Sequence, residues 1–162
     1  MIDLTRGLRH MAWADDRFFA GLATVPDAAL SVSYAPGAWP VAQLATHIVG
    51  AAEWYRYCLT GALWTDLAAP VTGADVEGLR SYLGELDAAL LAQAALPDAE
   101  MSFTDEHGPR TALRSTLLTQ AIVHAGEHRA QIACALAAHG FAGPSLDDID
   151  LWAFEAWERA SG

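Results

Sequence analysis

One apolar stripe, Leu113, Leu117, Ala121 and Ile132, also carries His124 and His128, and its members recur at helical spacing. That period sets all six side chains on one side of a helix. It predicts a long helix over 111–139, capped by Thr111 and stopped at Gly140. Three other stretches show the same period. Leu4, Leu8, Met11, Phe18 and Leu22 predict a helix over 3–23. Val41, Leu44, Ile48, Ala51 and Trp54 predict a second one, with Pro40 at its first position and Gly61 at its stop. Val76, Leu79, Leu83, Leu86 and Leu90 predict a third, capped by Thr72 and closed before Pro97. A helix with one apolar face must bury it, and four of them bury their faces against one another. The expected architecture is therefore all-α, a four-helix bundle in a single domain, 1–162. Residues 100–110 read as an extended piece or small hairpin. A short helix over 147–158, carrying Leu151, Phe154 and Trp157, is expected to cover one end.

Composition narrows the function. The chain has 20 acidic residues against 9 basic ones, a net charge of −11, which opposes nucleic-acid backbones and anionic membrane surfaces. No run of 18 apolar residues suggests a membrane span. No basic segment followed by an apolar core opens the chain, so a cytoplasmic location is expected. Cys58 and Cys134 lie in helical patterns and read as two buried thiols. The sequence holds no phosphate-binding glycine loop, dinucleotide fingerprint or G-x-S-x-G elbow.

The chemistry concentrates in His124-Ala-Gly-Glu-His128. Residues four apart on a helix project from nearly the same side, so two imidazoles can converge on one ion. His47, in the stripe of the second helix, is the candidate third donor. Three nitrogens with an open fourth position suit a catalytic zinc ion, and nickel, iron, cobalt or manganese fit the same donors. The alternative is three core histidines bonded to backbone, carboxylate or water. Gln131, one turn beyond His128, either contacts a ligand or the metal shell, or packs between helices. Trp54, two turns after His47, and Trp13 could wall a pocket beside the ion or serve as core. Glu127 points away from the histidine face and reads as a surface partner of Arg129 or Arg114; this is not the HExxH order. Glu53 reads as a solvated carboxylate. Trp39 is expected against the start of the second helix, and Trp152 and Trp157 at a bundle end or dimer face. Tyr55 and Tyr57 read first as packing. His10, His107 and His139 are left outside the metal set. No nucleophile or general base stands out.

Three segments carry a resemblance. Ala12-Trp13-Ala14-Asp15-Asp16-Arg17 is similar to the first helix of the DinB-like superfamily, which includes the YfiT-like metal enzymes. Trp39-Pro40-Val41-Ala42-Gln43-Leu44-Ala45-Thr46-His47 resembles its Trp-to-His helix, and Glu53 falls where that helix commonly carries an acid. His124-Ala125-Gly126-Glu127-His128-Arg129-Ala130-Gln131-Ile132 resembles its HxxxHRGQI motif, with Ala130 in place of the usual glycine. The resemblance covers most of the chain. It implies an up-down-down-up four-helix bundle with a short extra helix, a divalent-metal triad of His47, His124 and His128, and a homodimer. It further implies a small-molecule substrate and a low-molecular-weight thiol cosubstrate, as in thiol S-transferases and thiol-dependent isomerases. A metal-dependent hydrolase and a non-enzymatic metal-containing stress or binding protein are the other expectations.

Overall fold

The apolar stripes become the core of a helical bundle in the computed structural model, which describes residues 4–161. Helix α1 spans Leu4–Leu22, α2 Val41–Thr60, α3 Gly73–Ala94, α4 Arg114–Ala138 and α5 Leu151–Ser161. Strands β1 (Glu100–Asp105) and β2 (Gly108–Leu113) form an antiparallel hairpin between α3 and α4. Phe18, Phe19, Leu44, Leu83, Leu90 and Ile132 are fully buried where the four long helices meet. At roughly 25 cal/mol per Å² of apolar surface, each such side chain stabilises the fold by about 1.5–3 kcal/mol before chain entropy is counted.

Cross-helix pairs fix the direction of each helix. Gly7 backs onto Ile122 and Asp15 bonds Arg129, so α1 and α4 run the same way. Asp16 pairs with Arg80 while Gly73 meets Ala23, so α3 runs against α1. His47 faces His128 while Tyr55 reaches Gln120, so α2 runs against α4. The order is up, down, down, up. Two parallel neighbours, α2 and α3, cannot be joined by a tight turn, so residues 61–72 must travel back along the bundle. The reversal starts at Gly61, whose φ of +74° is left-handed and suits a residue without Cβ. It ends at Thr72, which closes a capping box: Asp75 N–H donates to its hydroxyl and the Asp75 carboxylate accepts from the Thr72 N–H. The Thr72 hydroxyl, then the Val71 and Thr72 N–H groups, donate to the Asp75 carboxylate and hold it below the usual range.

Several expectations need correction. Thr111 does not cap α4; it sits in β2 opposite Ser102, and the helix starts three residues later at Arg114. Ladder pairing satisfies that backbone before the helix can extend into it. Pro40 is the residue before α2 rather than its first helical one. The last predicted helix divides into a 3-10 turn at Asp147–Ile149 and α5. Cys58 is buried, with its thiol pushed up to about 11 by burial, but Cys134 is exposed on α4. Asp3, the residue before α1, lies outside the described residues.

Candidate metal centre

Helix α4 presents His124 and His128 one turn apart, and the antiparallel α2 brings His47 against both. The ligand nitrogens of the three residues lie within 4.8 Å of one another. His124 Nε2 is 3.1 Å from His47 Nε2 and 3.1 Å from His128 Nε2. Two donors held about 2 Å from one tetrahedral ion lie roughly 3.3 Å apart, so this spacing fits a shared cation. Among the described residues this is the group of three or more His, Cys, Asp or Glu side chains close enough to hold one ion.

Protonation supports the same fit. The Gln131 Oε1 accepts from His128 Nδ1–H at 2.8 Å, which leaves the lone pair on Nε2, facing the other rings. Burial, followed by the His128 charge, lowers the pKa of His47. Burial, then His128 and His47, lowers that of His124 to about 4. His47 and His124 are thus neutral at pH 7, the form that ligates metal. A neutral His124 cannot make good hydrogen bonds through one Nε2 to two facing nitrogens, whereas one cation satisfies all three lone pairs.

A cavity of about 400 Å³ opens on one side of His47. That is within the range of small-ligand pockets. Helix α2 supplies Gln43, Thr46 and Gly50 to its wall, and the returning segment supplies Thr65, Asp66 and Leu67. Trp39 forms the rim, with its ring 4.8 Å from that of His47 and 6.4 Å from that of His128. Trp39 is the site residue that sequence reasoning placed only as helix packing. Trp39 precedes the cap of α2, so helical spacing does not place it, and the resemblance of the Trp39-to-His47 segment was the available signal.

On its inner side the centre is closed. A space of about 10 Å³ lies between His124, Tyr55, Asp15 and Asp87, too small for an organic ligand. Asp15 is buried and bonds the buried Arg129; Asp87, also buried, has an oxygen without a protein partner. Burial, followed by the Asp15 charge, pushes the Asp87 carboxyl well above its ordinary range.

The other candidates fall elsewhere. Gln131 is beside the triad, as a support for His128. Trp13 packs on Phe154 and Trp157 and carries the Arg17 guanidinium over its ring, at the α5 end and away from the cavity wall. Trp54 clusters with Tyr57, Trp64 and Phe103, and with Trp64 it lines a separate cleft of about 640 Å³. Trp152 is 80% exposed and seals nothing within the chain. Glu53 is no solvated carboxylate: it is buried and accepts from the Tyr82 hydroxyl and from the Thr65 N–H and hydroxyl. These bonds tie the returning segment to α2. Arg129 and Arg114 do not pair with the exposed Glu127; Arg129 turns inward to Asp15, and Arg114 bonds the Pro97 carbonyl. His10, His107 and His139 lie apart from the triad, against the Ile149 carbonyl, Glu106 and the Ser33 carbonyl respectively.

Gln131→Ala is expected to weaken divalent-metal affinity by about 10- to 100-fold, the loss typical of an outer hydrogen-bond partner. Unchanged affinity in a competition titration against a chromogenic chelator would show that His128 needs no such support.

No curated protein matches the sequence. The model of the DinB family matches residues 1–159, nearly the whole chain. With the helix order and the histidine cluster, this places the chain in the DinB family.

Proposed function

We propose that the protein is a divalent-metal-dependent enzyme that joins a low-molecular-weight thiol to an electrophilic small molecule. The observation that carries this reading is the asymmetry of the triad: His47 borders an open cavity of about 400 Å³ while the opposite side is closed. A purely structural ion is closed by a fourth protein ligand, and a catalytic one keeps a position for solvent or substrate. His47, His124 and His128 would hold the ion, with zinc or nickel as first choices. When bound, it supplies a Lewis acid that favours the thiolate over the thiol. Gln131 keeps the His128 lone pair aimed at the centre, and Trp39 shields one flank from water. In the overall reaction the sulfur bonds the electrophilic carbon as a carbon–halogen or epoxide C–O bond breaks: a halide leaves with the thiol proton, and an epoxide oxygen keeps that proton as a hydroxyl.

The test is consumption of an activated halide or epoxide by metal-loaded protein, with thiol present and absent. Thiol-dependent consumption that disappears in metal-free protein is the expected result. Metal-dependent consumption without thiol would replace this reading with a hydrolase. Conversion of a substrate to its isomer, with the thiol regenerated, would replace it with a thiol-dependent isomerase. Tight metal retention with no turnover would replace it with a non-enzymatic metal protein.

A further inference from the structure

The cavity beside His47 carries one acidic side chain and no basic one. Asp66, on the returning segment, lines it and is exposed, with no hydrogen bond or ion pair to another described residue. All nine basic side chains of the protein are arginines. None of them lines the cavity. The one on α2, Arg56, is engaged with Glu53, Tyr82 and the Leu63 carbonyl. The rest of the wall is neutral: the Trp39 ring, the Gln43 amide and the hydroxyls of Thr46 and Thr65.

This wall discriminates by charge. A carboxylate or phosphate placed beside Asp66 would meet no protein cation, because the positive charge of a bound ion acts at the histidine end. The net charge of −11 adds a field of the same sign. An ammonium group would meet the Asp66 carboxylate, and the Trp39 ring is an aromatic face of the kind that attracts cations. Placing charge against charge in this way sets selectivity more than total affinity. Resting on the metal-site reading above, we infer that the small molecule held in this cavity carries an ammonium group beside Asp66.

The probes are three small thiols of similar size: cysteamine, 2-mercaptoethanol and 3-mercaptopropionate. Each is titrated into cobalt(II)-loaded protein and into its Asp66→Asn variant, following the sulfur-to-cobalt absorption band. Comparing the ratio of cysteamine to mercaptopropionate affinity between the two proteins cancels the differing acidities of the thiols. That ratio is expected to fall by about threefold to fivefold in Asp66→Asn, the scale of an exposed ion pair, with mercaptoethanol nearly unchanged. A cobalt spectrum and thiol bands with equal ratios in both proteins would overturn the charge inference alone. Absence of cobalt binding, or of a band with any thiol, would overturn the metal-thiol reading and this inference with it.

Discussion

Replacing any one of His47, His124 and His128 by alanine should lower divalent-metal affinity by more than about 100-fold, beyond what loss of a supporting residue costs. The three nitrogens form one cluster within 4.8 Å, so each variant leaves only two donors. Among the described residues no carboxylate or thiol stands in the cluster to replace the lost donor. Helix α4 keeps its apolar face in each case, and far-ultraviolet circular dichroism should remain that of the parent. Metal content after loading and gel filtration, measured by inductively coupled plasma mass spectrometry, is the readout. His10→Ala, His107→Ala and His139→Ala should retain a full equivalent. Equal retention by three folded triad variants would mean that the imidazoles converge without sharing an ion.

The second large effect concerns stability. Arg129→Met should destabilise the fold by about 3–5 kcal/mol, the range for removing one partner of a buried ion pair. Asp15 then loses its partner in a core that already holds Asp87, and both carboxyls are buried. For a chain of this size that corresponds to a fall in Tm of roughly 6–20 °C. Asp87→Asn should act in the opposite direction, and its effect depends on pH. The folded-state pKa of Asp87 is raised, so the unfolded chain ionises first as pH climbs. Its contribution is favourable below the ordinary carboxylate range, about pH 4, and is lost progressively as pH rises toward the elevated folded value. The asparagine variant should therefore match the parent near pH 4 and gain on it toward neutrality. Urea unfolding followed by circular dichroism across that range decides it. A change under 1 kcal/mol in Arg129→Met, or a gain that shrinks toward neutral pH in Asp87→Asn, would mean that the buried charges are not coupled in this way.

The helices were legible because their apolar residues repeat with the helical period and their ends carry local chemistry. Thr72 and Asp75 are three residues apart and satisfy each other's backbone groups without help from the rest of the chain. Gly61 and Gly140 stop helices through a backbone conformation that glycine adopts freely. The His124–His128 pair was legible for the same reason, since four residues is one turn. The meeting of His47 with that pair was proposed from shared apolar faces, but faces alone left a core-histidine alternative open. The family resemblance, and then the antiparallel register of α2 and α4, brought the residues together.

Long-range partners were not legible. Arg129 follows His128 directly, yet it turns inward because Asp15, 114 residues earlier in the chain, lies across from it. Glu53 is buried because Tyr82 and Thr65 arrive from two other segments. A carboxylate surrounded by such donors looks in sequence like any solvated acid. Trp54 shares the α2 stripe with His47 but lies two turns further along it, and Trp13 faces Phe154 and Trp157 of α5, a side that α1 periodicity alone does not select. The start of α4 was misjudged because a helix cap and a strand position make similar demands on Thr111.

Residues 61–72 form one bank of the cavity while the histidines stand on the helices opposite. On the proposed function, ligand preference and metal retention would thus be written in separate stretches of chain. Exchanges at Asp66 or Leu67 would then alter the cavity wall while leaving His47, His124 and His128 on their helices. A lineage built on this plan could change its diet by editing a dozen residues and leave its engine untouched.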